Sequence, residues 1–297
     1  MVGRAVVAAL AALTAAACAV TPPGGAAHPI TVVATTSAWG SILSQLGGDR
    51  VVAVSLISNP NTDPHDYEPT PADARALSLA RLVVENGIGY DGWAARVLAA
   101  SPDSRRVVLN VGTLVNAASD GNPHVWYSPD DVTTLVDATT RALSSVDPAD
   151  ASYFAQRRAI FERRLTRYRA LIDDIRSHYA GEPIGASESV VTPLAQALGL
   201  DLVTPPALLR AVSEGVDPSA ADKTTVDKQI REHAIKVFVL NRQNSTPDVT
   251  AQVNAARAAG IPVVDVTETL TPAGASYQSW QVSQLKQLRA ALQEAAE

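Results

Sequence analysis

Short apolar runs alternate with amphipathic segments along the first third of the chain. Residues 30–36 (ITVVATT) form a run of β-branched and small residues, which predicts a buried strand. Three similar runs follow, and segments with helical spacing of apolar residues lie between them. Strands that alternate with helices in this way are typical of a parallel sheet with helices on both faces. The predicted strands are 30–36, 51–57, 82–85 and 106–111, and the predicted helices are 39–46, 72–80 and 91–100.

The alternation stops between residue 147 and about residue 179, where the pattern predicts one long helix. Asp147 is a suitable N-cap, and Pro148 suits the first helical position. A helix of about thirty residues is about 45 Å long. It is either a surface helix of one large domain or a stiff connection between two lobes. The apolar residues that define its buried side are Phe154, Phe161, Leu165, Tyr168, Ile172 and Ile175.

The strand and helix alternation resumes at Pro183 and continues to the last helical segment. We therefore predict an α/β protein with two βα lobes, each with a parallel sheet, joined by one long rigid α-helix. The expected boundaries are 30–146 for the N-terminal lobe, 147–180 for the linking helix and 181–297 for the C-terminal lobe. The later predicted strands are 183–186, 201–203, 236–240 and 262–266, and the later predicted helices are 190–198, 220–233, 247–259 and 277–296.

Composition and charge narrow the classes of function without selecting one. The chain has 297 residues, of which 46% are hydrophobic and 18% charged, as in soluble globular proteins with a proper core. A formal net charge of −6 argues against nucleic-acid binding, which needs a basic face. The same charge is compatible with a protein that attracts cations. We expect the protein to be a monomer.

The first residues have the pattern of an export signal. Arg4 precedes an alanine-rich apolar run at 5–17, which is too short for an ordinary membrane-spanning helix. Cys18 ends this run and is the only cysteine, so no internal disulfide can form. The segment resembles a bacterial lipobox, although Ala15 stands where leucine is usual. We predict a signal peptide at 1–18, lipidation of Cys18 and a flexible tether at 19–29; the alternative is a simple secreted protein.

Two of the five histidines are candidates for metal binding. His65 and His124 each follow a proline in a loop after a predicted strand. Open α/β sheets bind ligands at the carboxyl ends of their strands, and proline restrains the local backbone. The residues alone leave open whether each is a metal ligand or a loop histidine with ordinary hydrogen bonds. The remaining histidines have structural explanations in the tether, at a helix end and on a polar helix face: His28, His178 and His233.

Two segments around these histidines resemble the signatures of one family. Residues 64–71 (PHDYEPTP) are similar to the Pro-His-x-Tyr-Glu-Pro-(Ser/Thr)-Pro motif of cluster A-I solute-binding proteins, the metal receptors of bacterial ABC importers. Residues 122–129 (NPHVWYSP) are similar to their second motif, (Asp/Asn)-Pro-His-x-Trp-x-x-Pro. The resemblance implies two βα lobes joined by a rigid helix, with one metal ion buried where the lobes meet.

The resemblance also implies a ligand set in which each lobe provides two residues. By position, His65 and His124 come from the N-terminal lobe, and Glu188 and Glu268 come from the C-terminal lobe. Glu268 departs from the aspartate that is more usual at its position. The alternative explanations are a helix-start acid for Glu188 and a surface acid for Glu268. Asp265 is a nearby competitor, although it falls inside a predicted strand.

Such a site has a simple chemistry. Two neutral imidazoles and two carboxylates balance a 2+ ion, and nitrogen and oxygen donors suit zinc, manganese or ferrous iron. Carboxylates near His65 could orient its imidazole. Many zinc importers of the family carry a histidine-rich loop, whereas residues 115–121 here contain no histidine; this favours manganese, iron or a zinc receptor without such a loop. The orienting candidates are Asp63, Asp66 and Glu68.

The resemblance implies an extracytoplasmic receptor that is anchored by a lipid to the outer face of the cell membrane. Such a receptor captures one divalent ion, Zn²⁺ or Mn²⁺, with Fe²⁺ also compatible. It delivers the ion to an ABC permease and its ATPase. The protein would not be an enzyme. A receptor for chelated iron or a vitamin, and a secreted metallohydrolase, are the alternatives. A hydrolase would need an open metal position for water and a general base. An additional role as an adhesin is compatible with metal capture.

Overall fold

The computed structural model describes residues 29–61 and 63–297. The predicted signal peptide at 1–18, the lipidation site Cys18, most of the predicted tether and His28 lie outside the described residues.

The first sheet has four parallel strands in the order β2-β1-β3-β4. The central strands β1 and β3 are almost wholly buried, which explains their continuous apolar sequence. Three of the four predicted strands have the predicted bounds, and the fourth is shorter by one residue at each end. The strands are β1 (Ile30–Thr36), β2 (Val51–Ile57), β3 (Leu82–Glu85) and β4 (Val107–Asn110).

Local capping fixes where the helices around this sheet begin. The Thr36 side chain accepts a hydrogen bond from the Trp39 N–H and starts α1, and Thr70 with Asp73 forms a capping box that starts α2. Asp91 occupies the N-cap position of α3, but its carboxylate accepts the N–H groups of Asn86 and Gly87 in the preceding loop instead of capping the helix. The helices are α1 (Ser37–Gly47), α2 (Pro71–Leu79), α3 (Gly92–Ala100), α4 (Val111–Leu114) and α5 (Pro129–Val146).

The predicted long helix is α6 (Ala151–Tyr179), which has 29 residues. All six apolar residues of the predicted stripe are buried, so the helical spacing is confirmed. Asp147 has the predicted N-cap position and Pro148 the predicted first position, in a 3-10 turn (Pro148–Asp150) that continues into the α-helix, but the Asp147 side chain makes no capping bond. Helix α6 packs against α1 and α5. It also packs against a later helix, Thr192–Leu198.

The second sheet repeats the topology of the first, with four parallel strands in the order β6-β5-β7-β8. We call the elements built on the first sheet the N-terminal lobe and those built on the second sheet the C-terminal lobe. Strand β5 has the predicted bounds, β6 and β8 are each shorter by one residue at one end, and β7 is shifted by one residue towards the C-terminus. The strands are β5 (Pro183–Ala186), β6 (Asp201–Leu202), β7 (Val237–Asn241) and β8 (Val263–Val266).

The remaining helices cover the second sheet and connect it to the first lobe. Helix α11 packs against β8 and also against α6 and α1, so it contacts both lobes. One apolar core runs from the first sheet through α6 to the second sheet, and a smaller cluster lies around Phe238. The predicted α/β fold with two parallel sheets and a long helix between them is confirmed. The helices are α7 (Thr192–Leu198), α8 (Pro206–Ser213), α9 (Ala220–Arg231), α10 (Pro247–Ala258) and α11 (Tyr277–Glu294).

Candidate metal centre

Four side chains from distant parts of the sequence meet where the two lobes face each other. Each offers one ligand atom, and these atoms all lie within 4.8 Å of one another. Two of the side chains belong to loops of the N-terminal lobe and two to the C-terminal lobe. The group consists of His65, His124, Glu188 and Glu268.

The loop after β2 places His65 at the edge of this group. Pro64 starts a 3-10 turn (Pro64–Asp66), and the Asp63 carboxylate accepts the backbone N–H of His65 at 2.9 Å. The His65 Nε2 lies 3.2 Å from His124 Nε2 and 3.5 Å from Glu268 Oε2. The side chain of His65 is 20% exposed, whereas those of His124 and Glu268 are fully buried. His65 is therefore the member of the group that solvent reaches.

Asn122 fixes the orientation of His124. The Asn122 Oδ1 lies 2.8 Å from the His124 Nδ1 and also accepts the backbone N–H of His124 at 3.0 Å. Because the amide oxygen can only accept, the Nδ1 carries the proton and the Nε2 lone pair points into the group. The Nε2 lies 3.3 Å from Glu268 Oε2. A neutral imidazole held in this tautomer is a suitable metal ligand.

Glu188 and Glu268 follow β5 and β8 and are almost completely buried. Glu188 occupies the N-cap position of a 3-10 turn, but its side chain does not cap it. Its Oε2 instead accepts a hydrogen bond from Ser213 at 2.6 Å. The Oε2 of Glu268 accepts one from the Tyr90 hydroxyl at 2.8 Å. Nδ2 of Asn241 donates to Oε1 of both carboxylates, at 2.6 Å and 2.8 Å.

Burial and mutual proximity shift the pKa values of the group. Burial, followed by repulsion from Glu268, raises the pKa of Glu188. Burial alone would raise the pKa of Glu268 as well, but the facing His124 and His65 and the bond from Tyr90 hold it below its usual range. Burial lowers the pKa of His65. The carboxylates of Glu268 and Glu188 raise that of His124 against the effect of burial. The group is therefore suited to hold a cation in place of protons.

Hydrogen bonds across the lobe interface hold the loops in place. The Asn122 Nδ2 donates to the Ser189 carbonyl at 2.7 Å, next to Glu188. The Tyr127 hydroxyl donates to the Thr267 carbonyl at 2.7 Å, next to Glu268. The Leu270 N–H donates to the Ser37 hydroxyl at 3.0 Å. The loops that carry His124, Glu188 and Glu268 are thus held by hydrogen bonds between the lobes.

A cleft of about 920 Å³ between the lobes leads to the group. Asp63, His65 and Tyr90 line it from the N-terminal lobe, and Ser189 and Ser213 line it from the C-terminal lobe. Because His65 lies both in the cleft and in the group, the cleft provides a route by which a small cation reaches the four side chains.

The structure brings together all four residues that the sequence analysis selected, and their role as metal ligands stays a prediction. Asp63 contacts His65 through the backbone N–H rather than the ring, while Asp66 and Glu68 are exposed. His178 and His233 are exposed at the ends of α6 and α9, away from the group. Sequence reasoning did not single out the residues that orient the group, although one of them, Asn122, belongs to the second motif. These residues are Tyr90, Asn122, Ser213 and Asn241.

Two α/β lobes with parallel sheets that meet over a buried group of polar side chains place the chain in the class of two-lobed binding-protein folds. The sequence profile of the family described as "Zinc-uptake complex component A periplasmic" matches residues 32–291. This match covers most of the chain, and the chain therefore belongs to that family.

Relatives of known name agree with this assignment. The iron-binding protein YfeA of Yersinia pestis is 25% identical over 248 residues, which are 81% of this chain and 75% of the relative. The manganese-binding lipoprotein MntA of Halalkalibacterium halodurans is 28% identical over 199 residues, 65% of this chain and 66% of the relative. Among solved structures, FpvC of Pseudomonas aeruginosa in complex with Mn²⁺ aligns with a TM-score of 0.73 at 23% identity, covering 90% of this chain and 99% of that chain. The similarity to FpvC shows that the two chains share a fold.

Proposed function

We propose that this protein is the extracytoplasmic receptor of an ABC importer and captures one divalent transition-metal ion between its lobes. The observation that carries the proposal is the meeting of two imidazoles and two carboxylates, with ligand atoms within 4.8 Å of one another, two from each lobe. Nitrogen and oxygen donors of this kind suit zinc, manganese and ferrous iron. The ligands are His65, His124, Glu188 and Glu268.

Charge balance explains why the site takes a 2+ ion. Two neutral imidazoles and two ionised carboxylates carry a charge of −2, so the ion makes the buried group neutral. Burial disfavours an unpaired charge, and the raised pKa of Glu188 reflects that cost when no ion balances it. Relatives are named for binding iron, manganese and zinc, so relationship alone does not select one of these metals.

We propose that capture proceeds through the cleft. The ion first meets His65, which is the exposed member of the group, and then the three buried side chains. Because the lobes are already joined by hydrogen bonds and by α6 and α11, we expect only a small closure. Small-angle scattering with and without metal measures this closure. A large decrease in the radius of gyration would contradict it.

The protein acts at the cell surface with membrane partners. We propose that Cys18 is lipidated, that residues 19–29 form the tether and that the receptor, as a monomer, delivers its ion to a permease driven by an ATPase. The lobes are proposed to span 30–146 and 181–297, with the linking helix between them. In the part of the chain that the structure describes, none of the helices has the length and apolarity needed to cross a membrane. Mass spectrometry of the membrane fraction, compared with a Cys18→Ala variant, tests the anchor.

Elemental analysis of the full-length protein tests metal capture directly. The protein is loaded with a mixture of zinc, manganese and iron, then dialysed and compared with the His124→Ala and Glu268→Ala variants. We expect one tightly held ion per chain in the native protein and loss of that ion in both variants. Metal that is absent, or that persists in both variants, would contradict the proposal.

Capture of a chelated metal is a second candidate, favoured by the size of the cleft. A volume of about 920 Å³ is within the range of pockets that hold small organic ligands, and it exceeds what a single ion needs. Calorimetry with a ferric chelate and with the free ion separates the two functions. Heat from the chelate that survives in the Glu268→Ala variant would favour the second candidate.

A further inference from the structure

One side chain outside the four candidate ligands touches both carboxylates. Asn241 is the last residue of β7, which lies between β5 and β8 in the sheet. Glu188 and Glu268 follow these two neighbouring strands, so the end of β7 places the Asn241 side chain between them. Asn241 is completely buried, and its Nδ2 lies 2.6 Å from Oε1 of Glu188 and 2.8 Å from Oε1 of Glu268.

The surroundings of Asn241 fix which end of its amide faces the carboxylates. Its Oδ1 accepts the backbone N–H of Gln243 at 3.0 Å. The ionised carboxylates of Glu188 and Glu268 can only accept, so the amide nitrogen must face them. Both N–H groups of the amide are then used, one on each carboxylate. Asn241 therefore has no freedom to turn without losing three hydrogen bonds.

This arrangement assigns different tasks to the two oxygens of Glu268. Its Oε1 is held by Asn241, while its Oε2 lies 3.3 Å from His124 Nε2 and 3.5 Å from His65 Nε2. An ion that binds next to the imidazoles therefore meets Oε2. Two-oxygen ligation would need Oε1 to turn towards the ion as well, and the hydrogen bond from the fixed Asn241 amide restrains that turn. The Oε1 of Glu188 is held by the same amide nitrogen, and its Oε2 accepts a hydrogen bond from the Ser213 hydroxyl, which can rotate.

We infer that Asn241 determines metal specificity by holding one oxygen of each glutamate, which keeps both glutamates to ligation through a single oxygen. This inference rests on the proposed function. Two imidazoles and two such carboxylates give four ligands, the coordination number that zinc prefers in closed protein sites. Manganese favours six ligands that are mainly oxygen. The held carboxylates thus favour zinc over manganese.

Competition titrations with the full-length protein test this inference. Dissociation constants for Zn²⁺ and Mn²⁺ are measured against a chromophoric chelator in the native protein and in Asn241→Ala. The variant frees Oε1 of both glutamates, and we expect the preference for zinc to fall about tenfold, a size typical of residues that orient metal ligands. Asn241→Leu keeps more of the buried volume and should show the same change. Equal weakening of both metals would overturn the inference and leave Asn241 a purely structural role.

Asn244→Ala is the matched control. Asn244 is a buried asparagine three residues further on, in the loop after β7, and its Nδ2 donates to the Val212 carbonyl rather than to a carboxylate. We expect its ratio of zinc to manganese affinity to equal that of the native protein. A shift as large as that of Asn241→Ala would overturn the inference, because the effect would then belong to the loop as a whole.

Zinc-edge X-ray absorption of the native protein tests the inference without any variant. We expect about four nitrogen and oxygen neighbours. A coordination number near six would overturn the inference even if metal binding itself is confirmed. Native protein that binds neither metal would instead overturn the proposed function, and the inference with it. The two failures are therefore distinguishable.

Discussion

The two lobes share a strand order but supply the site in different ways. The N-terminal lobe offers two imidazoles from loops beyond the edge strands β2 and β4. The C-terminal lobe offers two carboxylates, one directly after the inner strand β5 and one after the edge strand β8. His124 and Glu268 thus follow corresponding last strands, whereas His65 and Glu188 do not occupy corresponding positions.

The difference between the lobes follows from the cost of burying charge. A neutral imidazole needs one acceptor to fix its tautomer, and Asn122 provides it for His124. A buried carboxylate needs several donors, because a charge without partners is costly in the interior. Asn241, Ser213 and Tyr90 are these donors. The two carboxylates are therefore surrounded by hydrogen-bond donors, of which Tyr90 comes from the N-terminal lobe, whereas loop geometry positions the imidazoles.

The largest effect is expected from neutralising a carboxylate. Glu188→Gln keeps the size of the side chain but removes one of the two negative charges that balance the ion. We expect metal affinity to fall by more than about 100-fold, because even residues that merely orient ligands contribute up to that factor. Calorimetry measures the affinity. Glu214→Gln is the control, since Glu214 lies in the same cleft but is exposed and paired with Arg210. Equal losses in both variants would contradict a special role for Glu188.

Removal of the exposed imidazole of His65 should lower the metal affinity less than neutralising a carboxylate does. In His65→Ala, water from the cleft can take the vacated position, since the His65 side chain is 20% exposed. We expect affinity to fall by about 50-fold, less than for removal of a charged ligand. His178→Ala, at the exposed end of α6, should bind metal normally. An unchanged metal affinity in His65→Ala would mean that the loop after β2 provides no ligand.

The metal-free protein should lose stability as the pH rises towards neutrality. Burial raises the pKa of Glu188 to about 7 and that of Asp63 to about 6. Between pH 4.5 and 7 the native state therefore binds more protons than the unfolded state, so its stability falls with pH. The raised pKa of His124 acts in the same direction, whereas the lowered pKa of His65 opposes it.

We expect a net loss of about 2 kcal/mol in the free energy of unfolding over this range. Urea denaturation of the chelator-treated protein at several pH values measures it. The Glu188→Gln variant should lose less, because it lacks the carboxylate with the most strongly raised pKa. A metal-free protein whose stability rises steadily to pH 7 would contradict the charge assignment at the C-terminal side.

The smallest effect is expected from a single hydrogen bond between the lobes. Tyr90→Phe removes only the hydroxyl that donates to Glu268 at 2.8 Å. We expect affinity to fall about fivefold, equivalent to about 1 kcal/mol. Competition with a chelator is sensitive enough to measure this change. Tyr67→Phe, whose hydroxyl donates to Asp73 instead, serves as the control. An unchanged affinity in Tyr90→Phe would mean that Glu268 is positioned from its own lobe alone.

The sequence predicts the strands well and some helices poorly. Strands β1 and β5 are recognised because short β-branched or small-residue runs are bounded by proline or polar residues. Helix α5 was not predicted, although Ser128, Pro129 and two acids mark its start. Three of its seven buried positions carry alanine or threonine, so its apolar stripe is weak. Helix α8 was not predicted either; it has only 8 residues.

The sequence also predicts the four candidate ligands but not the residues that hold them. His65 and His124 lie in long local motifs, and Glu188 and Glu268 were carried over by position from the ligand pattern of the family that those motifs resemble. Asn241 is separated from its two carboxylate partners by 53 and 27 residues, and Tyr90 from Glu268 by 178 residues. Such contacts arise from the folded arrangement of strands and loops, and no local pattern reports them.

Gln284 on α11 contacts the loops of the site although it comes late in the chain. Its Oε1 accepts the Thr267 N–H at 2.9 Å and lies 2.8 Å from the Tyr127 hydroxyl oxygen, so it contacts the loops of both His124 and Glu268. It comes after all four candidate ligands in the chain. A nascent chain that already contains both imidazoles and both carboxylates therefore still lacks the residue that aligns them. The four side chains therefore reach their final arrangement only once α11, which contacts α6, α1 and β8, has packed.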